Sequence, residues 1–311
     1  MINRNTDPSR LDANESVFFK RQLEYVKTKT YDVKYKNLKA TTLFPVSTEA
    51  PPGADTITFR QFSKVGVAKV IADYANDFPR VDVYGVEKQA QIRGIGDSYG
   101  YSIKEIRRAQ MAGTNLSQRR AEAARRASDE LVDYIAWNGD TTYNLQGFIN
   151  YPGITQYTVP ADGTGSSKLW STKTPDQIVR DCTGMVDAIV DTTNGRETPD
   201  TLLVPMTQYL LIANTRMTDG NDVTILQYIL KNNPFIQMIE PVVELKIAGA
   251  SATARMMLYT NDANNLTLEI PQPFEQFPAQ AKGMTFEIPC HTETAGIIVY
   301  YPLSIAYGDG I

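Results

Sequence analysis

Residues 101–153 carry the strongest pattern in the chain and read YSIKEIRRAQMAGTNLSQRRAEAARRASDELVDYIAWNGDTTYNLQGFINYPG. The pattern predicts a short helix, a break at Gly113, one long helix, a turn and then the segment GFINYPG. Between Leu116 and Trp137 there is no Pro or Gly, and the strong helix formers Ala, Arg, Glu and Leu dominate. A helix of that length extends roughly 33 Å at about 1.5 Å per residue. Asn115 is its predicted N-cap.

One apolar stripe is predicted along the long helix. Ala124, Ala127, Leu131 and Ile135 recur at helical spacing, so this face should be buried. The small alanines in its first half would let another backbone approach closely.

The charges of the long helix run against its dipole. Four arginines occupy its first half: Arg119, Arg120, Arg125 and Arg126. Three acids occupy its second half: Asp129, Glu130 and Asp133. A helix dipole favours acids first and bases last, so the order indicates that a group outside the helix uses the arginines. From spacing alone, a solvated helix face is the alternative.

The net charge of −4 conceals an uneven distribution. Residues 1–126 carry 22 Lys/Arg against 14 Asp/Glu, a net charge of +8, whereas residues 127–311 carry 9 against 21, a net charge of −12. Such asymmetry favours contact with a polyanion or charge-complementary self-assembly, with chance scatter as the alternative. The basic residues form no continuous tract, so a diffuse positive face fits better than a base-reading motif.

Composition and length place the chain among globular proteins. It has 311 residues, of which 42% are hydrophobic and 21% charged. No apolar run has the length that crosses a bilayer, and the first ten residues lack the apolar core of a secretory signal. Cys182 and Cys290 are therefore expected to be reduced, in a protein made in a cytoplasm.

Two segments in the first third of the chain predict secondary structure. Residues 13–27 predict a helix in a basic N-terminal arm, and DTITFRQF places Ile57 and Phe59 on one face of a strand. We expect a long β-excursion whose two limbs pair, with a tip between Val65 and Pro79. Exposed strand edges invite pairing, which suits an oligomer better than a monomer.

The remaining sequence predicts a helix and then several strands. Thr174, Pro175 and Gln177 form a capping-box variant at the start of the helix. Its buried face comprises Ile178, Cys182, Met185, Val186, Ile189 and Val190. Short helices and the segments DTLLVP, MIEPVVEL, ARMMLYT, NLTLEI, MTFEIP and AGIIVYYPLSIAYG follow, so the fold class is α+β.

Catalytic patterns are weak throughout the chain. The single histidine, His291, follows Cys290 in a strand-like segment, and adjacent strand residues point to opposite faces. A Cys/His nucleophile pair is therefore not expected, and no histidine or carboxylate spacing predicts a metal site. The segment GIGDSYG at 94–100 lacks the lysine of a phosphate-binding loop and is better explained by turn glycines between a strand and a helix. We predict no enzyme activity and no cofactor.

The order of these parts resembles a major capsid protein of tailed bacteriophages, with the Hong Kong 97-type fold that encapsulin shells also use. The specific portion is Tyr99 to Gly153, notably Gly139 followed by GFINYPG at 147–153. The closing AGIIVYYPLSIAYGDGI looks like the final strands of the axial domain. The rest agrees in layout more than in motif.

The resemblance implies a domain plan. Residues 1–41 would be the N-terminal arm and 42–98 the extended loop. Residues 99–198 would form the peripheral domain with the spine helix at 116–137, and 199–311 mainly the axial domain, with closing strands that return to the peripheral domain.

The resemblance also implies partners and sites. Copies would form the pentamers and hexamers of a virion head that encloses double-stranded DNA, assembled in the bacterial cytoplasm without a membrane. The interior, DNA-facing residues would be Arg119, Arg120, Arg125 and Arg126, and contacts between subunits would involve Ile57, Phe59, Phe62, Lys64 and Lys69. A separate scaffolding protein, a portal and decoration proteins are further expected partners. The alternative is an encapsulin-type shell that packages an enzyme cargo.

Overall fold

The last third of the chain builds a five-stranded sheet from its most apolar segments. The computed structural model describes residues 35–66, 69, 80–112, 116–218, 220 and 222–311. The sheet has the order β7-β16-β10-β8-β9. Its strands are β7 (Thr155–Tyr157), β8 (Thr201–Val204), β9 (Met238–Pro241), β10 (Arg255–Tyr259) and β16 (Ile305–Asp309). All residues of β8 and β10 are buried, as expected for strands covered on both faces.

Three helices cover one face of this sheet. They are α4 (Pro175–Thr193), α5 (Met206–Asn214) and α6 (Ile225–Asn232). The predicted capping box is present at the start of α4, where the Thr174 side chain accepts from the Gln177 N–H and the Gln177 side chain accepts from the Thr174 N–H. Five of the six predicted core residues of α4 are buried and Val190 is half-buried. The helix was predictable because its caps and its apolar period agree.

A buried ion network fixes the segment before α4, which the sequence shows only as a polar loop. Lys173 Nζ lies 2.6 Å from Asp181 Oδ2, and both side chains are fully buried. Lys173 also donates to the Pro160 carbonyl, and Trp170 Nε1 donates to Asp181 at 3.2 Å. The network therefore ties the segment to α4 at a dry site.

Aromatic rings fill the other face of the sheet. Phe44, Trp137, Phe148 and Tyr259 form one cluster in which the Phe44 ring lies 5.0 Å from Trp137 and 4.7 Å from Phe148. Phe44 follows the short helix α1 (Ala40–Leu43). Buried Asp133 accepts the backbone N–H groups of residues 39 and 40, so the long helix caps α1.

The two helices of the opening stretch are α2 (Ile103–Ala112) and α3 (Leu116–Asn138), close to the predicted bounds. The predicted apolar stripe is partly wrong. Ala124 and Ile135 are buried, but Ala127 and Leu131 are exposed. The buried row instead runs at steps of four through Ala124, Ser128, Val132 and Ala136. The sequence obscures this row because Ser128, which donates to Asp97, is polar.

The segment GFINYPG passes directly beneath the end of α3. The Phe148 and Ile149 N–H groups donate to the Ala136 and Trp137 carbonyls, both at 2.9 Å. A Cβ at Gly147 would lie 2.2 Å from the Asn138 carbonyl carbon, so only glycine fits at this crossing. The hairpin of β5 (Gly139–Asp140) and β6 (Leu145–Gln146) makes the connection.

A second sheet packs against α3. Its long strands β4 (Arg93–Ser102) and β14 (Thr285–Thr294) pair over ten residues, and β12 (Gln272–Gln276) and β13 (Gln280–Lys282) lie on the other side of β14. The interpretation of GIGDSYG as a turn is wrong, because these glycines lie within β4. Both β12 and β13 escaped prediction, because they are short and mostly polar, with Pro273 inside β12 and Pro278 between the two strands.

The predicted β-excursion is present as a hairpin of β2 (Thr56–Val65) and β3 (Asp82–Gln91). A smaller sheet joins β1 (Val46–Ser47), β11 (Leu266–Glu269) and β15 (Gly296–Val299). The chain divides by contacts into residues 1–37 and 38–311. The predicted arm helix at 13–27, the Asn115 cap and most of the hairpin tip lie outside the described residues. The remaining domain boundaries stay predictions.

Candidate assembly surfaces

The hairpin leaves both of its faces open over its outer half. β2 and β3 pair only with each other among the described strands. Phe62 is 66% exposed and Tyr84 60%, and they lie on opposite faces because strand side chains alternate. Val83 and Val86 are also more than half exposed. Apolar side chains in this number on a two-stranded ribbon indicate a surface that another molecule covers.

The root of the hairpin is anchored on its own chain. The Phe59 ring packs edge-on against Tyr300 with 5.0 Å between centroids, and the Gln61 side-chain amide donates to the Tyr300 carbonyl. The Ile92 N–H donates to the Asp55 carbonyl at 2.9 Å.

The structure separates the five predicted loop residues into two groups. Ile57 and Phe59 are half-buried in the root, whereas Phe62, Lys64 and Lys69 are exposed. All five stay predicted contact residues.

Arg120, the second arginine of the long helix, contacts its own chain. Its guanidinium lies 3.0 Å from Glu105 Oε1, 4.7 Å from the Tyr101 ring centre, and donates to the Gly100 carbonyl. Hydrogen bonding from Arg120 lowers the pKa of Glu105, aided by the Ser102 N–H. Arg120 therefore links α3 to α2 and β4.

The Ser102 and Glu105 side chains also form a capping box at the start of α2. The Glu105 N–H donates to Ser102 Oγ, and the Ser102 N–H donates to Glu105 Oε2, both at 3.1 Å. This motif is readable in the sequence as Ser-x-x-Glu and was missed.

The other three arginines differ in their surroundings. Arg126 Nε lies 2.7 Å from Glu130 and Arg125 Nε lies 3.8 Å from Asp129, each one helical turn away. Arg119 is exposed and forms no ion pair with a described residue. At 100° per residue the four arginines do not share one face of α3. The arginines that oppose the dipole are thus largely matched by acids within the chain, and a DNA-facing role stays a prediction.

Cys290 and His291, which were weighed as a nucleophile pair, have different surroundings. Cys290 is buried, and burial raises the pKa of its thiol to about 11. His291, its neighbour on β14, is partly exposed and its Nε2 lies 3.9 Å from Glu293 Oε1. Among the described residues, no three His, Cys, Asp or Glu side chains could hold a metal ion. Within the same part of the chain, no helix is long and apolar enough to cross a membrane.

Comparisons with known proteins bear on the fold and on the family. The family model for the major capsid protein matches residues 66–311. The solved capsid of Myoviridae phage XM1 superposes with a TM-score of 0.80 at 17% identity, covering 96% of this chain and 100% of that one. A comparison with curated proteins found no match.

Two further solved structures are similar over nearly their whole length. That of Mycobacterium phage Bobi has a TM-score of 0.62 at 11% identity and covers 92% of this chain and 94% of that one. The capsid of an empty GTA particle has a TM-score of 0.59 at 9% identity and covers 93% and 95%.

The fold is that of the shell proteins of tailed-phage heads. The chain belongs to the major capsid protein family. The predicted Hong Kong 97-type α+β fold and the predicted function as a phage head shell protein are therefore confirmed.

Proposed function

We propose that this chain assembles with itself into the pentamers and hexamers of an icosahedral head and encloses double-stranded DNA. Scaffolding, portal and decoration proteins would be its partners during assembly in the bacterial cytoplasm. The observation that carries the proposal is the hairpin, whose outer apolar side chains Phe62, Val83, Tyr84 and Val86 are each more than half exposed. A shell protein that works by self-assembly needs no cofactor and no enzymatic site.

We infer that the extended hairpin contacts a neighbouring subunit through Phe62 and Lys64, with Lys69 further along. The anchored root, Phe59 against Tyr300, would hold the hairpin at a fixed angle to its own subunit. A fixed angle reduces the ordering cost of docking.

The DNA-facing role is proposed for the basic half of α3, with Arg119 and Arg125 as its main contributors. Both are exposed, and Arg125 has only a distant acidic partner at 3.8 Å. Arg120 and Arg126 are held closer to acids and would contribute less. Contacts of this kind are independent of DNA sequence and weaken with salt.

Negative-stain electron microscopy of the expressed chain tests self-assembly, with and without a co-expressed scaffolding partner. Closed shells are the expected result. Persistent monomers under both conditions would contradict the proposal. Shells that copurify with a protein cargo and no nucleic acid would favour the encapsulin-type alternative.

A paired substitution tests the DNA-facing surface. Arg119→Ala with Arg125→Ala is expected to lower the DNA retained by assembled heads and to reduce its salt dependence. A matched control removes two exposed arginines that lie outside both α3 and the hairpin, Arg196→Ala with Arg216→Ala. Equal DNA retention in the two double variants would refute the assignment to α3.

A further inference from the structure

Two apolar features lie on opposite sides of the five-stranded sheet. On the side covered by helices, α4 and α6 enclose a groove of about 290 Å³. On the other side, the turn at 243–247 that follows β9 projects Val243 and Ile247, which are 55% and 69% exposed. Because the sheet separates them, the turn cannot fill the groove of its own subunit.

The groove has the size and lining of a side-chain receptor. Its lining includes Val179, Val186 and Asp187 of α4, Tyr228 of α6 and Phe235. Its volume lies just below the range of about 300–1,000 Å³ that small-molecule pockets occupy. One or two aliphatic side chains therefore suit it better than a cofactor.

The rim of the groove is rigid. Asn233 Oδ1 accepts the backbone N–H groups of Phe235 and Ile236, at 2.9 and 3.3 Å. Ile236 is fully buried and fixes the segment from below. A second capping box, between Thr224 and Gln227, fixes the start of α6. The groove is thus formed before any partner arrives.

The projecting turn is equally well anchored. Leu245 is fully buried in the aromatic cluster, and the Val242 N–H donates to the Val204 carbonyl at 2.9 Å. The Lys246 N–H donates to the Val243 carbonyl at 3.2 Å, which closes the turn. Two aliphatic side chains are therefore held outward on a rigid support, an arrangement that lowers the ordering cost of binding.

We propose that the 243–247 turn of one copy inserts into the α4–α6 groove of a second copy. The inference rests on the proposed self-assembly and names the contact that joins neighbours in a ring. Two different patches on opposite sides of a subunit give a head-to-tail contact, which closes through rotational symmetry. Charge supports the same partner, because Lys246 is exposed on the turn and Asp187 is exposed at the groove.

Disulfide crosslinking in assembled particles tests the contact. The double variant Ile247→Cys with Thr183→Cys places one thiol on the turn and one at the groove. The native Cys182 and Cys290 are buried and should not compete. Mild copper-catalysed air oxidation is expected to give a ladder of multimers on a non-reducing denaturing gel.

The single variants supply the controls. Each alone should stay monomeric on the gel, and particles assembled from a mixture of the two should give dimers and nothing larger. If assembled particles of the double variant give only monomers on the non-reducing gel, the proposed contact is wrong. Dimers from Ile247→Cys alone would overturn it too, since they require a two-fold arrangement.

Charge reversal tests independently whether Lys246 of one copy faces Asp187 of the next. Lys246→Glu and Asp187→Lys should each reduce the yield of assembled particles about tenfold at low salt, and the two together should restore most of it. Lys231→Glu, on α6 outside the groove lining, is the matched control and should assemble normally. If the wild-type chain assembles but the double reversal gives no recovery, the contact is wrong while the proposed function stands. If the wild-type chain itself never assembles, the proposed function fails.

Discussion

The hairpin and the five-stranded sheet use similar side chains in opposite ways. In β8 and β10 every residue is buried between helices on one face and an aromatic cluster on the other. In the hairpin, Phe62, Tyr84 and Val86 are each more than half exposed. The difference indicates that the sheet carries the stability of the subunit, whereas the outer hairpin serves contacts that the subunit cannot make alone.

The largest expected effect comes from the buried ion network on the sheet side. Lys173→Met leaves Asp181 buried without its main cationic partner, so it should lower the free energy of unfolding by about 3–5 kcal/mol. Urea unfolding, at a protein concentration too low for assembly, measures this loss in the free energy of unfolding. The double variant Lys173→Met with Asp181→Leu should recover much of it. A double variant no better than the single one would show that the charge itself is not the cause.

A smaller effect is expected at the hairpin root, where Phe59 packs against Tyr300. Phe59→Ala should lower the free energy of unfolding by about 1–2 kcal/mol, because Phe59 is only half-buried. This value lies between the roughly 3–5 kcal/mol expected for a fully buried phenylalanine and the near-zero effect of a surface substitution. Amide hydrogen exchange should rise in β2 and β3 and stay unchanged in β8 and β10. Phe59→Tyr keeps the ring against Tyr300 and should behave as wild type. Faster exchange in β8 would mean that the hairpin supports the sheet after all.

The stability that the Glu105–Arg120 ion pair contributes at the junction of α2 and α3 should depend on pH. The pKa of Glu105 is lowered in the folded chain, so its contribution to stability is present above the ordinary carboxyl pKa, about 4.3, and is lost as the pH falls through the lowered value. Glu105→Gln can keep the capping box but loses the charge opposite Arg120. The variant should therefore be less stable than wild type at neutral pH and equal to it in acid. A difference that persists unchanged into acid would mean that the ion pair with Arg120 contributes nothing.

The elements predictable from sequence are those in which local signals agree. Helix α4 has a capping box, a proline at its first position and a regular apolar face, and all three recur in the structure. The sequence predicted the extent of the long helix but not which of its faces is buried. Its buried residues include Ser128 and Asp133, whose partners Asp97 and the amides of residues 39 and 40 are distant in sequence. Such partners are set by tertiary structure, which spacing alone does not reveal.

The candidate surfaces show the same limit. The alternation of apolar residues predicted the hairpin, yet only the structure separates the anchored Phe59 from the exposed Phe62. The four arginines were predicted as one group, but Arg120 proves to bridge α3, α2 and β4. Neither the α4–α6 groove nor the 243–247 turn has a sequence signature, because each depends on how distant elements pack.

The smallest effect on stability, and the most direct test of the comparison, is expected at the outer hairpin. Phe62→Thr with Tyr84→Thr removes both exposed rings and keeps a residue type that favours strands. The free energy of unfolding of the unassembled subunit should change by less than about 0.5 kcal/mol, as for other surface substitutions. Particle assembly, measured by sedimentation and negative stain, should nevertheless be lost. Phe62→Leu with Tyr84→Phe keeps the apolar surface and should assemble. Stability and assembly are measured separately, so each can contradict the comparison. A large loss in the free energy of unfolding of the Thr double variant would mean that the outer hairpin stabilises the subunit. Normal assembly of the same variant would mean that the two rings make no contact between subunits.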